Sequence, residues 1–166
     1  SSNNVPAFEK WFHYFEIYDR HMARFRNTDV HLVELGIAHG GSMLLWRKYF
    51  GARAHVTGVD VVNGTSEYEN NDIFGSPNKI VVGDASKDST WQEVIRHRID
   101  IFIDDGLHTS GHQMSVLNRV LPALAPGGVY VVEDIVDPRF FHFVSKQFIV
   151  DTDDQNTLSR YKWMNG

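Results

Sequence analysis

Residues Ile99 to His108 read IDIFIDDGLH, an apolar alternation that runs into two carboxylates, a glycine and a histidine. Ile99, Ile101 and Ile103, with Phe102 among them, predict a buried strand. Asp104-Asp105-Gly106 marks its end, because acidic side chains cannot continue into an apolar core. At the carboxyl edge of a parallel α/β sheet, however, such groups face the crevice where ligands bind. A second run, Gly128 to Asp134 (GVYVVED), repeats the pattern of an apolar strand ending in carboxylates. If the two strands are parallel neighbours, Asp105, Glu133 and Asp134 converge on one point with His108 just beyond it. That is the layout of a metal site with a base beside it.

Outward from this stretch, strand and helix patterns alternate. Val30 to Gly36 predicts a first strand and Ser42 to Phe50 a helix, joined by the glycine-rich turn Gly36-Ile37-Ala38-His39-Gly40-Gly41-Ser42. Glycines admit positive φ and close approach of a ligand to the backbone, and the helix start offers free N–H groups. The G-x-G-x-x-G dinucleotide frame would need glycine where Ala38 stands. A tight turn with no ligand is the plainer alternative; Glu34 tips the balance, since a carboxylate near the end of a buried strand needs a donor. Ala54 to Val61 predicts the second strand, with Asp60 at its end, 24 residues after Gly36. An acidic residue at about 20 residues' offset takes the ribose hydroxyls of a bound nucleoside.

Lys79 to Gly83 predicts a third strand. Asp84 beyond it either caps the helix suggested by Thr90 to Arg98 or borders a base pocket, and spacing leaves both open. Ser110 to Leu124 predicts a helix, and Pro126-Gly127-Gly128 a sharp turn into the fifth strand. Further on, Arg139 to Lys146 suggests a helix, Gln147 to Asp151 a strand and Tyr161-Lys162-Trp163 an antiparallel return. The fold expected is α/β, Rossmann-like and doubly wound, a mostly parallel sheet with helices on both faces. Before it, Phe8 to Phe25 carries apolar residues at helical spacing and predicts an amphipathic helix. It packs on the domain's flank or forms a lid or dimer surface, Tyr14 and Ile17 adding apolar bulk off the main stripe. Asn63 to Asn78 reads as a loop.

The 166 residues bound the chain to one domain, with the helical segment 1–28 preceding a ligand-binding unit 29–166. Hydrophobic content of 42% and charged content of 22% match an ordinary globular protein. With a net charge of −5 and no basic run longer than Arg47-Lys48, no nucleic-acid partner is expected. No apolar run suggests a membrane span and no secretory signal is visible. The absence of cysteine excludes disulfides and thiolate sites and fits a cytoplasmic location.

With these residues in hand, the chain resembles the class I S-adenosylmethionine-dependent methyltransferases. Within them it is similar to the metal-dependent O-methyltransferases that modify macrolide sugars, of mycinamicin and macrocin type. The blocks that carry the resemblance are VELGIAHGGSMLLW, GVDVV, VVGDAS, IDIFIDDGLH and LPALAPGGVYVVEDI, spanning Val33 to Ile135. The DDGxH and ED pattern also occurs in relatives named as cephalosporin hydroxylases. The resemblance implies that Glu34, Gly36 and Ser42 line the methionine and ribose side of S-adenosyl-L-methionine and that Asp60 holds the ribose diol. It implies that Asp84 and Ala85 border adenine and that Asp104 lies on the donor side of its strand. Asp105, Glu133 and Asp134 would bind a divalent ion, with His108 as base. Ala85 departs from the glutamine that relatives often carry, and no sizeable auxiliary domain precedes the helix.

Three carboxylates without thiols favour a hard ion, Mg2+ first and Mn2+ second. His108 and His112 stand four apart as a zinc pair would, but no second pair supports zinc, and His112 reads as a surface or capping residue. The expected reaction is in-line methyl transfer to a hydroxyl of a small molecule, a vicinal diol of a sugar or natural product, the ion chelating the acceptor and His108 accepting its proton. Trp11 and Trp46 either shape the acceptor pocket or pack in the core. The alternatives are a non-catalytic nucleoside- or S-adenosylmethionine-binding protein and an NAD-dependent oxidoreductase. A homo-oligomer through the aromatic N-terminal helix is a further expectation.

Overall fold

The computed structural model describes residues 10–63, 65, 69, 78–146, 150–152 and 161–164. Helix α1 (Tyr14–Met22) and a short 3-10 turn precede β1 (His31–Leu35), α2 (Gly41–Phe50), β2 (His55–Asp60) and β3 (Asn78–Val82). Then come α3 (Asp88–Val94), β4 (Ile99–Asp104), α4 (Ser110–Val120), β5 (Leu124–Val132), α5 (Pro138–Ser145), β6 (Val150–Thr152) and β7 (Tyr161–Met164). The seven strands form one sheet in the order β3-β2-β1-β4-β5-β7-β6. The first five named run parallel, and β7 pairs antiparallel with both β5 and β6. This is the doubly wound α/β architecture the alternating pattern predicts. The strand order reverses between β1 and β4, which opens a crevice at their carboxyl ends.

Strand periodicity sorts the core into two layers. Leu32, Ile101, Ile103, Val129 and Val131 face one side of the sheet, packing with Tyr14, Tyr18 and Met22 of α1 and Met43, Trp46 and Phe50 of α2. Val33, Leu35, Phe102, Tyr130 and Val132 face the other, against Trp91 of α3, Val116, Leu117 and Val120 of α4 and Phe140 and Val144 of α5. At about 25 cal/mol for each Å² of apolar surface removed from water, these two layers supply the main driving force for the fold. Among the described residues, no helix is long and apolar enough to cross a membrane.

Two boundaries differ from the expected ones. Helix α1 starts at Tyr14, not near Phe8, which lies outside the described residues. Trp11 and Phe12 are 61% and 87% exposed, whereas Tyr14 belongs to the buried stripe. The fifth strand begins at Leu124 and carries Pro126-Gly127-Gly128 within it, through a register shift against Ile99 and Ile101. The bulge accommodates the proline, which has no N–H to give to a ladder. Most of the expected loop between Asn63 and Asn78 and the Gln147 start of the sixth strand lie outside the described residues.

Candidate functional site

The ladder brings the strand ends level. Gly36 N–H donates to Val59 O, Asp105 N–H to Leu35 O and Glu133 N–H to Asp104 O, so the residues that end β1, β4 and β5 stand side by side. Period-two alternation then decides which way each carboxylate faces. Glu34 shares the face of Leu32, Asp105 that of Ile101 and Ile103, and Glu133 that of Val129 and Val131. All three therefore emerge toward α1 and α2, where they meet the Lys10 ammonium. Lys10 Nζ lies 3.0 Å from Glu34, 2.7 Å from Asp105 and 2.9 Å from Glu133. The Lys10 side chain is only 2% exposed. Burial works against its charge, but Glu34, Glu133 and Asp105 hold the proton on well above the ordinary lysine range.

Other protein donors complete this inner pocket. Glu34 Oε2 accepts from Ser42 Oγ at 2.6 Å and Trp46 Nε1 at 2.9 Å. Tyr18 OH donates to Glu133 and Tyr14 OH to Asp134 at 2.6 Å. The donor that Glu34 requires thus comes from within the protein, and Trp46, 1% exposed, is a core residue that serves it. Burial pushes the Glu133 carboxyl upward, Lys10 opposing and Asp105 and Glu34 adding to the rise.

The expected trio of Asp105, Glu133 and Asp134 is divided. Ligand atoms of Glu34, Asp105 and Glu133 cluster around Lys10, while those of Asp105, His108 and Asp134 form a second, half-buried group. Asp134 departs from the strand with φ of +49°, which breaks the alternation and leaves its carboxylate on the α1 side, where Tyr14 OH reaches it. This outer group opens on a cavity of about 380 Å³, lined also by Lys10, Gly36, Ala38, Ser42 and Asp60. The carboxylates of this group fit a hard divalent ion, which Mg2+ meets with one or two carboxylates and several waters, and they leave the imidazole beside it as a base. His108 Nε2 lies 3.3 Å from Asp105 Oδ1, and that hydrogen bond raises the imidazole pKa above 6.5 against the effect of burial.

Asp60 is 8% exposed and binds the glycine-rich turn. Its Oδ2 accepts from Ile37 and Ala38 N–H, both at 3.0 Å, and its Oδ1 from Val62 N–H at 2.9 Å. Ala38, where the dinucleotide frame would want glycine, takes φ of +42°, a conformation glycine adopts without cost. The cavity has a size suited to a small organic ligand. Another cavity, of about 460 Å³, lies toward the opposite strand ends, among His31, His55 and His97, with no carboxylate among the described residues of its wall.

Asp104, Asp84 and Ala85 do not line the cavity. Asp104 shares the face of Phe102 and points away, its carboxyl accepting from Tyr130 OH at 3.2 Å and Gly106 N–H at 3.3 Å. Asp84 caps no helix: α3 begins after Lys87, and Asp84 Oδ1 instead closes a turn onto Ser86 N–H at 2.8 Å. His112 is no cap either. It sits half-buried in the first turn of α4, behind Thr109 at the cap position, and burial lowers its pKa.

Full burial pushes the Asp104 carboxyl from 3.8 up to about 7. Between these values the native chain keeps a proton that the unfolded chain has lost, so this group's contribution to stability falls as pH rises from about 4 to 7. Asp104→Asn removes the ionisation and keeps an oxygen for Tyr130. Its melting temperature is expected to exceed the wild type's at pH 8, to do so by less at pH 5, and to match it only below about pH 4, a gain of about 2–4 °C for each kcal/mol at this chain length. Equal melting temperatures at both pH values would show that Asp104 ionises freely.

Comparisons with known proteins agree with this architecture. The model of a family described as a methyltransferase domain matches residues 33–135. The chain is 36% identical over 132 residues to the 8-demethyl-8-alpha-L-rhamnosyl tetracenomycin-C 2'-O-methyltransferase of Streptomyces olivaceus, covering 74% of this chain and 33% of that one. It is 31% identical over 130 residues to the mycinamicin VI 2''-O-methyltransferase of Micromonospora griseorubida, covering 71% and 30%. Among solved structures it is similar to the MycE methyltransferase of the mycinamycin pathway in complex with Mg, SAH and mycinamycin VI. The TM-score is 0.75 at 21% identity, covering 95% of this chain and 50% of that one. The chain spans about a third of the length of the curated relatives it matches.

Proposed function

Because this chain belongs to the methyltransferase domain family and has its class I fold, we propose that it is the donor-binding and catalytic part of an S-adenosyl-L-methionine-dependent O-methyltransferase. Its acceptor is a sugar hydroxyl of a natural product, the substrate class named for its relatives. One observation carries the reading: the Gly36–Ser42 turn, Asp60 and the group Asp105, His108 and Asp134 share one cavity wall. That cavity takes a nucleoside sulfonium at one end and presents acid and base groups at the other.

In this reading Asp60, already fixed by the turn, offers its remaining acceptor capacity to the ribose hydroxyls, and Gly36 and Ser42 border the amino acid arm. The division proposed is a segment 1–28, whose described residues 10–28 flank the sheet and supply Lys10, and a donor-binding unit 29–166. Asp105 and Asp134 would hold Mg2+, which when bound supplies positive charge that makes an adjacent acceptor hydroxyl more acidic. His108 accepts the hydroxyl proton while the methyl carbon passes from sulfur to oxygen and the sulfur leaves as a neutral thioether. Asp105 orients the imidazole through its hydrogen bond and stabilises its protonated form.

Calorimetric titration with S-adenosylhomocysteine tests the donor half. Wild type is expected to bind, Asp60→Ala to lose about 10–100-fold in affinity, as for a hydrogen bond to a charged group, and Asp134→Ala to bind as wild type. Absence of binding by folded wild-type protein would overturn the proposal. Methyl transfer from S-adenosylmethionine to rhamnosides with free vicinal hydroxyls then tests the acceptor half.

A further inference from the structure

The hydroxyls of Tyr14 and Tyr18 have no role in the proton and methyl transfer derived above, yet each reaches a carboxylate just past the end of β5. We propose that Tyr14 is a positioning residue for the divalent ion: its hydroxyl fixes the Asp134 carboxylate in the orientation in which that group meets the ion. The inference rests on the functional reading above for the ion itself, and concerns how this chain prepares one ligand for it.

Three features support it. First, Tyr14 OH donates to Asp134 Oδ1 at 2.6 Å from a side chain that is 2% exposed. That length is in the range of a charge-assisted O–H···O bond to a carboxylate, the stronger kind. Second, strand geometry does not aim Asp134. Its φ of +49° lies in a region that L residues adopt rarely, and the departure turns its carboxylate out of the alternation and toward α1. A partner on α1 has to set the direction instead. Third, Tyr14 is itself held in place by a row of rings. It meets Tyr18 edge to face at 5.9 Å, and Tyr18 meets Trp46 edge to face at 5.0 Å. Each ring of the row gives one polar hydrogen to a different acid, Tyr14 to Asp134, Tyr18 to Glu133 and Trp46 to Glu34. With one Asp134 oxygen on the phenol, the plane of the carboxylate is set before an ion arrives. Outer partners of this kind orient metal ligands and strengthen their hold on the metal.

The test compares wild type with Tyr14→Phe, which removes the hydroxyl and keeps the ring. Tyr49→Phe is the control, because Tyr49 OH also reaches a carboxylate of α1, Asp19, at 2.8 Å, and neither residue is in the cavity wall. Mn2+ binding is followed by the loss of the free-ion paramagnetic signal and S-adenosylhomocysteine binding by calorimetry. Tyr14→Phe is expected to bind Mn2+ about 10–100-fold more weakly than wild type and S-adenosylhomocysteine at unchanged affinity. Tyr49→Phe is expected to bind both as wild type does. A role in packing alone would leave the Mn2+ affinity of Tyr14→Phe untouched, since phenylalanine fills the same space.

The proposal is overturned if Tyr14→Phe binds Mn2+ as wild type does. It is also overturned if Tyr49→Phe loses as much Mn2+ affinity as Tyr14→Phe, which would trace the effect to the seating of α1. Wild type that binds S-adenosylhomocysteine and no Mn2+ overturns it together with the ion of the functional reading. Wild type that binds Mn2+ and no S-adenosylhomocysteine overturns the donor reading alone, and Tyr14→Phe still decides this one. Should Tyr14→Phe fail to fold, fluorine resonances of wild type labelled with 3-fluorotyrosine decide. Of the six tyrosines, Tyr14 is assigned by elimination after single Tyr→Phe substitutions of the other five. Its resonance is expected to shift on addition of Mg2+ far more than that of Tyr49, and equal shifts overturn the proposal.

Discussion

A His108→Gln variant is expected to bind S-adenosylhomocysteine as tightly as wild type and to turn over about 10²–10⁴-fold more slowly, the usual contribution of a positioned general base. The argument is geometric. His108 is the imidazole nearest the cavity's carboxylates, its Nε2 3.3 Å from Asp105 Oδ1 and its ring in the wall with Asp134. Glutamine keeps a polar side chain of similar reach but cannot take up a proton. The same contact sets the pH dependence. The Asp105 hydrogen bond raises the His108 pKa above 6.5, and a base must be neutral to accept a proton. The rate should therefore climb with pH as the imidazole loses its proton, and His108→Gln should abolish that rising limb along with most of the rate. A variant that keeps the limb, or that keeps wild-type turnover, would assign the proton to another group. Loss of donor affinity instead of rate would make His108 part of the donor site.

Much of this site is legible in the sequence because strand alternation is legible. Once Ile99, Ile101 and Ile103 are read as one face, Asp105 follows them and Asp104 does not. The same count sends Glu34 with Leu32 and Glu133 with Val131. Pure alternation therefore contradicts placing Asp104 beside the donor, and the structure sides with alternation: Asp104 bonds to Tyr130 on the far face. The resemblance to a family gives the identity of the carboxylates but not their hydrogen-bond partners: Glu133 meets Tyr18 and Asp134 meets Tyr14, and the positive φ of Asp134 that brings this about has no signature in strand alternation. Lys10 was not legible. It is a single cation in an aromatic segment, separated by 24 residues from Glu34 and 123 from Glu133, and no local pattern joins them. The signal available was electrostatic: three carboxylates on one buried face demand a cation, and Lys10 lies just before the helix that covers them. Tyr14 reads from the sequence as apolar bulk, and helical spacing cannot tell a tyrosine used for its ring from one whose hydroxyl meets an acid, as those of Tyr14 and Tyr18 do.

Gly36→Ala is expected to cost roughly 3–5 kcal/mol of stability, a fall of about 10 °C in melting temperature for a chain of this length. Gly36 stands where β1 ends, at φ of +86°, a conformation that L side chains rarely adopt. A Cβ there would lie 2.1 Å from the Asp105 carbonyl oxygen and 2.7 Å from its carbonyl carbon. Both obstacles are backbone, held by the bond from Asp105 N–H to Leu35 O, so neither can swing aside as a side chain would. Relief requires β1 and β4 to part at the point where the glycine-rich turn and the Asp105 carboxylate meet. The variant should therefore lose donor affinity and stability together. Gly111→Ala provides the contrast. Gly111 lies inside α4 with nothing within 4 Å of its added methyl, and alanine there should stabilise the chain by up to about 1 kcal/mol. If Gly36→Ala melts like Gly111→Ala, the close approach of β1 to Asp105 is not maintained in solution. If it melts early and still binds S-adenosylhomocysteine at full affinity, the donor does not sit on this turn, because the same atoms that clash with the methyl form the cavity wall.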